Sequence, residues 1–136
     1  METNKKTKTL AIVILVKGIM LTVLGVIHTL ASFIEYDAIK GEMSGEMARQ
    51  YILWFYALGL FLLFVGLLDL LTYKGIQKNM SWAWRNAFLS ALFSIVTGLS
   101  GLIGLQWALS PPYIIVLTGI VPMILLLCHK KEFKLP

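Results

Sequence analysis

A chain of 136 residues that is 58% apolar and only 14% charged lacks the polar surface of a water-soluble globule and suffices for one domain. Its formal net charge is +5, but the basic residues are dispersed, which points to anionic lipid head groups and away from nucleic acid. The single cysteine, Cys128, excludes an intrachain disulfide and a cysteine-based metal motif.

Four apolar stretches take up nearly the whole chain, and a bilayer crossing needs about 20 residues. The first helix is predicted from about Thr9 to Ile34, behind Lys5, Lys6 and Lys8. It exceeds the roughly 7–15 residues of a signal-peptide core and contains Lys17, so it is expected to be a retained helix. A long outer loop is expected from Glu35 to Arg49, where Glu35, Asp37, Glu42 and Glu46 outnumber Lys40 and Arg49. Its spacing matches no calcium loop and reads as a solvated acidic face.

The second helix is predicted from about Gln50 to Tyr73, followed by Lys74, Lys78 and Arg85. The third runs from about Ser81, an expected N-cap, to Leu105. An uncharged gap from Gln106 to Pro112 leads into the fourth, about Tyr113 to Cys128. Pro111 and Pro112 suit a helix start, and Pro122 is expected to kink the interior. Lys130, Lys131 and Lys134 end the chain.

Counted along the chain, the basic residues fall 3, 2, 3, 0 and 3 between the apolar stretches. Lys and Arg near span ends stay on the cytoplasmic side, so both termini are expected there. Aromatic residues agree: Tyr51, Trp54, Trp107 and Tyr113 at the outer edge, Tyr73, Trp82 and Trp84 at the inner. The expected fold is an all-α membrane protein, a single-domain antiparallel bundle of four transmembrane helices.

At 100° per residue, Lys17, His28 and Glu35 share one line of the first helix. Gly18, Thr22, Gly25, Thr29 and Ser32 lie beside it. A matching stripe on the second helix joins Tyr51, Phe55, Gly59, Leu62, Gly66, Asp69 and Tyr73. Asn86, Ser90, Ser94, Thr97, Gly101 and Gly104 form a third, with Thr118 and Gly119 on the last helix. In lipid such small residues mark surfaces where helices approach closely, so Gly18, Gly25, Gly59, Gly66 and Gly101 are assigned to packing.

Lys17, His28 and Asp69 are the ionisable side chains inside the spans. A charge at the bilayer centre costs about 2.5–3.5 kcal/mol on insertion scales, so each needs a partner, a neutral form or a route out. Two readings fit Lys17 and Asp69: an ion pair, or a snorkelling lysine above an interfacial aspartate. Two also fit His28: a proton relay or ligand group, or a neutral imidazole bridging helices through Tyr51 or Ser100. Glu35 reads as a solvated residue at the outer mouth. Haem is excluded because His28 and His129 lie near opposite ends of the membrane, and zinc because no ligands cluster. Ser90, Ser94 and Ser100 lie in no nucleophile elbow.

The segment Gly25-Val26-Ile27-His28-Thr29, with Pro111-Pro112 before a glycine-bearing last helix, resembles a family of uncharacterised bacterial four-helix membrane proteins, distantly similar to the DoxX group. The resemblance implies a bacterial cytoplasmic-membrane location, with His28 as the G-x-x-H histidine, and no particular activity.

The expected function is non-catalytic: binding of a lipophilic small molecule, or of a partner membrane protein or second copy, within the bilayer. No cofactor or metal is called for. The alternative is a proton-coupled exporter of hydrophobic cations using Asp69. A membrane enzyme would rest on His28 with Glu35 alone.

Overall fold

Four helices are observed, α1 (Lys5–Ile39), α2 (Gly45–Gln77), α3 (Ser81–Gly104) and α4 (Ser110–Cys128), then a 3₁₀ turn at Lys130–Glu132; α1, α2 and α4 run further than hydrophobicity predicts. The structure, a computed structural model, describes residues 5–39, 41, 44–104 and 110–133, with 5–6, 35–39, 104 and 110–111 as backbone only. Among the described residues there is no strand.

The long outer loop is not observed. Helix α1 continues to Ile39 and α2 begins at Gly45, which leaves residues 40–44 as the connection. Apolarity marks where a helix leaves the hydrocarbon, whereas the helix stops where its backbone bonding stops. The flanks here carry Glu35, Ala38, Glu46, Met47, Ala48 and Arg49, all good helix formers, beside the weaker Tyr36, Asp37, Ile39 and Gly45. Glu46 in the first turn of α2 also favours the dipole at that end.

Burial is inverted relative to a soluble protein. Ile34, Trp54, Leu71 and Ile103 are 70–79% exposed, while Lys17, Asp69, Thr72, Ser90 and Ser94 are buried. Apolar surface on this scale is stable only against hydrocarbon, and helices satisfy their own backbone groups there. Within α1, α2 and α3, the stretches Thr7–Ile34, Gly45–Gln77 and Ser81–Ile103 are long and apolar enough to cross a membrane. The apolar part of α4, Pro112–Cys128, is shorter. At 1.5 Å per residue it reaches roughly 25 Å, against a core of about 30 Å. Three helices therefore meet the length of a crossing where four were expected.

The chain divides into two compact units, residues 1–17 with 68–136, and residues 18–67. In the first, Leu10 and Ile14 of α1, Ile76 of α2, Ala83, Trp84 and Ala87 of α3, and Leu126 of α4 form one buried cluster. The start of α1, the end of α2, the start of α3 and the end of α4 thus meet. Phe133, beyond the 3₁₀ turn, is fully buried in the same cluster.

Turn chemistry holds these ends together. Asn79 adopts a left-handed φ of 55°. Its N–H donates to Ile76 O and that of Met80 to Gly75 O, the paired bonds of a Schellman stop. The carbonyl of Met80 then accepts from Ala83 and Trp84, so Met80 takes the N-cap place predicted for Ser81, which is the first helical residue. At the far end of α4, Trp84 Nε1 donates to Leu126 O at 2.9 Å, and His129 Nδ1 lies 2.7 Å from Leu125 O. Both carbonyls belong to the last turn, which lacks enough helical donors.

Helices α3 and α4 pack antiparallel through small residues. A Cβ on Gly98 would lie 2.7 Å from Val116 N, and one on Gly119 would lie 2.6 Å from Ala91 O. Gly101 is looser, its nearest neighbour being the Pro112 ring at 3.3 Å. On α3 the residues that meet Gly119 and Val116 are Ala91, Ile95 and Gly98, a run offset from the predicted one. Helix α4 continues through Pro122, which is buried.

In the second unit, α1 and α2 approach backbone to backbone. A Cβ on Gly66 would meet Thr22 N at 2.5 Å and Gly18 O at 2.8 Å. One on Gly59 would meet Thr29 N at 2.7 Å, and one on Gly25 would strike the backbone of Leu63. The glycine faces of the two helices are set against each other, the geometry close van der Waals packing requires where no hydrophobic drive acts.

Candidate functional site

Among the described residues, two places hold groups with chemistry to offer. The first, in the unit of residues 1–17 and 68–136, is a buried polar cluster. Lys17 Nζ lies 3.0 Å from Asp69 Oδ2 and donates to Ser90 Oγ at 2.6 Å. Asp69 is 0% exposed, Ser90 1% and Lys17 2%. Ser94, one turn along α3, donates to Ser90 O at 2.9 Å, and Thr72, one turn along α2, donates to Leu68 O at 2.7 Å. Of the two readings of Lys17 and Asp69, the geometry is that of the ion pair.

A lysine touching a serine hydroxyl invites a comparison with serine–lysine acyl transfer. That chemistry needs a neutral amine as base and a hydroxyl that substrate can reach. Lys17 is already engaged by a carboxylate, and Ser90 is sealed among helices. The cluster is a neutralised polar joint between three helices.

The second place is a cleft of about 490 Å³ within residues 18–67, lined by Ser32 and Phe33 of α1 and Arg49, Ile52, Leu53 and Tyr56 of α2. Positions 49, 52, 53 and 56 recur at helical spacing, so one face of α2 supplies the wall. Phe33 and Tyr56 meet edge to face at 5.8 Å. Ser32 turns its hydroxyl to Thr29 O at 2.6 Å, and the walls are otherwise largely apolar. Arg49 is exposed and pairs with no acidic group among the described residues.

His28 does not line this cleft. It is half-buried and stacks on Phe55, ring centroids 3.7 Å apart at 30°, with Tyr51 stacked beyond Phe55 at 6.1 Å. It therefore bridges α1 to α2 through its ring face. Glu35 falls on the α1 backbone, and its side chain lies outside the described residues. His129 caps α4. Among the described residues no three His, Cys, Asp or Glu side chains converge as metal ligands.

Sequence reasoning placed Ser90 on a packing stripe and missed its bond to Lys17. The available signal was the spacing Asn86, Ser90, Ser94, a hydroxyl run facing the two charged spans. Arg49 was assigned to the loop that proved helical, and Phe33 and Tyr56 carried no signal beyond apolarity.

No protein family, curated protein or solved structure matches this chain.

Proposed function

We propose that this protein is a non-catalytic membrane protein of four antiparallel crossings that binds a lipophilic small molecule in the α1–α2 cleft. The observation that carries the reading is that cleft: about 490 Å³, within the roughly 300–1,000 Å³ of small-molecule sites, apolar-walled, with one polar anchor. The polar cluster at Lys17 supports a non-catalytic role, because its charges are spent on each other. The alternative, export of hydrophobic cations, needs a carboxylate that a cation can reach. Asp69 is fully buried and already holds Lys17.

The meeting of both outer helix ends with those of α2 and α3 in one cluster, and the 3, 2, 3, 0, 3 distribution of basic residues, support termini on one side, the cytoplasmic. In this reading α4 is the fourth crossing, its short apolar part matched by local thinning of the bilayer or by tilt of its neighbours. A bacterial plasma-membrane location, and kinship with the four-helix family that shares the Gly25–Thr29 segment, belong to the same proposal.

The test is mass spectrometry of small molecules leaving native membranes with the protein in mild detergent, beside a Leu53→Trp variant whose larger side chain fills the cleft. Leu53 is 57% exposed, so the fold should accept the change. Discrete lipophilic species in wild type, depleted several-fold in the variant, are expected. Equal amounts in both, or none in either, would refute the cleft as a binding site. A stoichiometric protein in place of small molecules would move the assignment to a partner membrane protein.

A further inference from the structure

We propose that the α1–α2 cleft takes an anionic glycerophospholipid, with its phosphate on Arg49 and an acyl chain along Ile52, Leu53 and Tyr56. The inference rests on the lipophilic-ligand reading above and names the class of ligand.

Charge complementarity is the first argument. Arg49 is the one charged residue lining a largely apolar cleft, and no acid among the described residues neutralises it. A guanidinium holds a phosphate through two parallel N–H donors, and a cation with no acid beside it favours a net anionic head group over a zwitterionic one, whose own ammonium offsets the phosphate charge.

Depth order is the second. Arg49 is in the second turn of α2, close to its polar end, and the apolar lining residues follow deeper along the helix. At 1.5 Å per residue, Leu53 lies about 6 Å below Arg49 and Tyr56 about 10.5 Å below. A bilayer lipid has the same order along the same axis, head first and chain after. A free polar metabolite has no use for the lower wall.

Access is the third. Phe33 and Leu53 line the cleft and are 64% and 57% exposed. The cleft therefore opens sideways onto the surface that meets acyl chains, and a lipid enters without leaving the membrane.

The experiment uses the purified full chain, delipidated in detergent, titrated with dioleoyl phosphatidylglycerol or dioleoyl phosphatidylcholine and read by native mass spectrometry. Wild type is expected to retain phosphatidylglycerol about ten-fold over phosphatidylcholine. Arg49→Gln should bring the two lipids level, Arg49→Lys should fall between, and Leu53→Trp should lose both. Arg49 is exposed, so its variants should match wild type in thermal midpoint, which separates lost binding from lost fold. Equal retention of both lipids, unchanged in Arg49→Gln but lost in Leu53→Trp, would overturn the phosphate assignment and leave lipophilic binding standing. Failure of wild type to retain both phosphatidylglycerol and phosphatidylcholine would overturn both readings.

Discussion

Lys17 and Asp69 face each other at 3.0 Å with 2% and 0% of their surface exposed. A pair this deeply buried contributes little net stability, because desolvation offsets attraction, but breaking it leaves one charge stranded. Lys17→Met and Asp69→Leu are each expected to cost about 3–5 kcal/mol, and the double variant should recover most of the loss. A double-mutant cycle by unfolding in mixed micelles checks this. Additive losses would show that the two side chains act independently.

Ser90→Ala should be mild by comparison. It removes the hydroxyl that accepts from Lys17 Nζ at 2.6 Å, and hydrogen bonds between membrane helices average about 0.6 kcal/mol with a maximum near 1.7. The same unfolding assay applies. A loss as large as that of Lys17→Met would mean that Ser90, not Asp69, is the main partner.

The glycines should separate into a graded series. Gly25→Ala and Gly66→Ala push a methyl group into the backbone of the facing helix and should cost about 1–3 kcal/mol. Gly101→Ala meets only the Pro112 ring at 3.3 Å, and the gain of nearly 1 kcal/mol in helix propensity should offset it. Gly41→Ala meets nothing within 4 Å and should stay within about 0.5 kcal/mol of wild type. Equal effects at Gly25 and Gly41 would contradict the close approach of α1 and α2.

Phe133 is buried to 0% exposure in the cluster that joins the four helix ends. Phe133→Ala should cost roughly 3–5 kcal/mol, and removal of residues 133–136 should do the same. A thermal midpoint equal to wild type would show that the terminal turn does not dock.

The four helices and their lipid-facing sides were legible in the sequence because composition and 100° periodicity report them directly. The small-residue stripe Gly18, Thr22, Gly25 and Thr29 was likewise readable, since only packing explains small residues at that spacing in lipid. Helix ends were not. The acidic flanks from Glu35 to Arg49 looked like a loop by polarity, although most of their residues suit helix. The cleft was hidden for a related reason: Arg49 entered only as a charge to be counted, and its helical phase with Ile52, Leu53 and Tyr56 appears once α2 is known to start at Gly45. The choice between a paired and a snorkelling Lys17 needed the depth of Asp69 and Ser90, which spacing within single helices does not supply.

The proposal that both termini face the cytoplasm turns on α4, which alone among the four described helices falls short of a full span. Cysteine accessibility in intact cells tests it directly, with Cys128 first replaced by Ala. Single cysteines at Thr3 and Leu135 should resist a membrane-impermeant maleimide until the cells are opened, while one at Gly41 should react at once. Labelling of Leu135→Cys from outside, with Thr3→Cys protected, would leave three crossings and contradict the account.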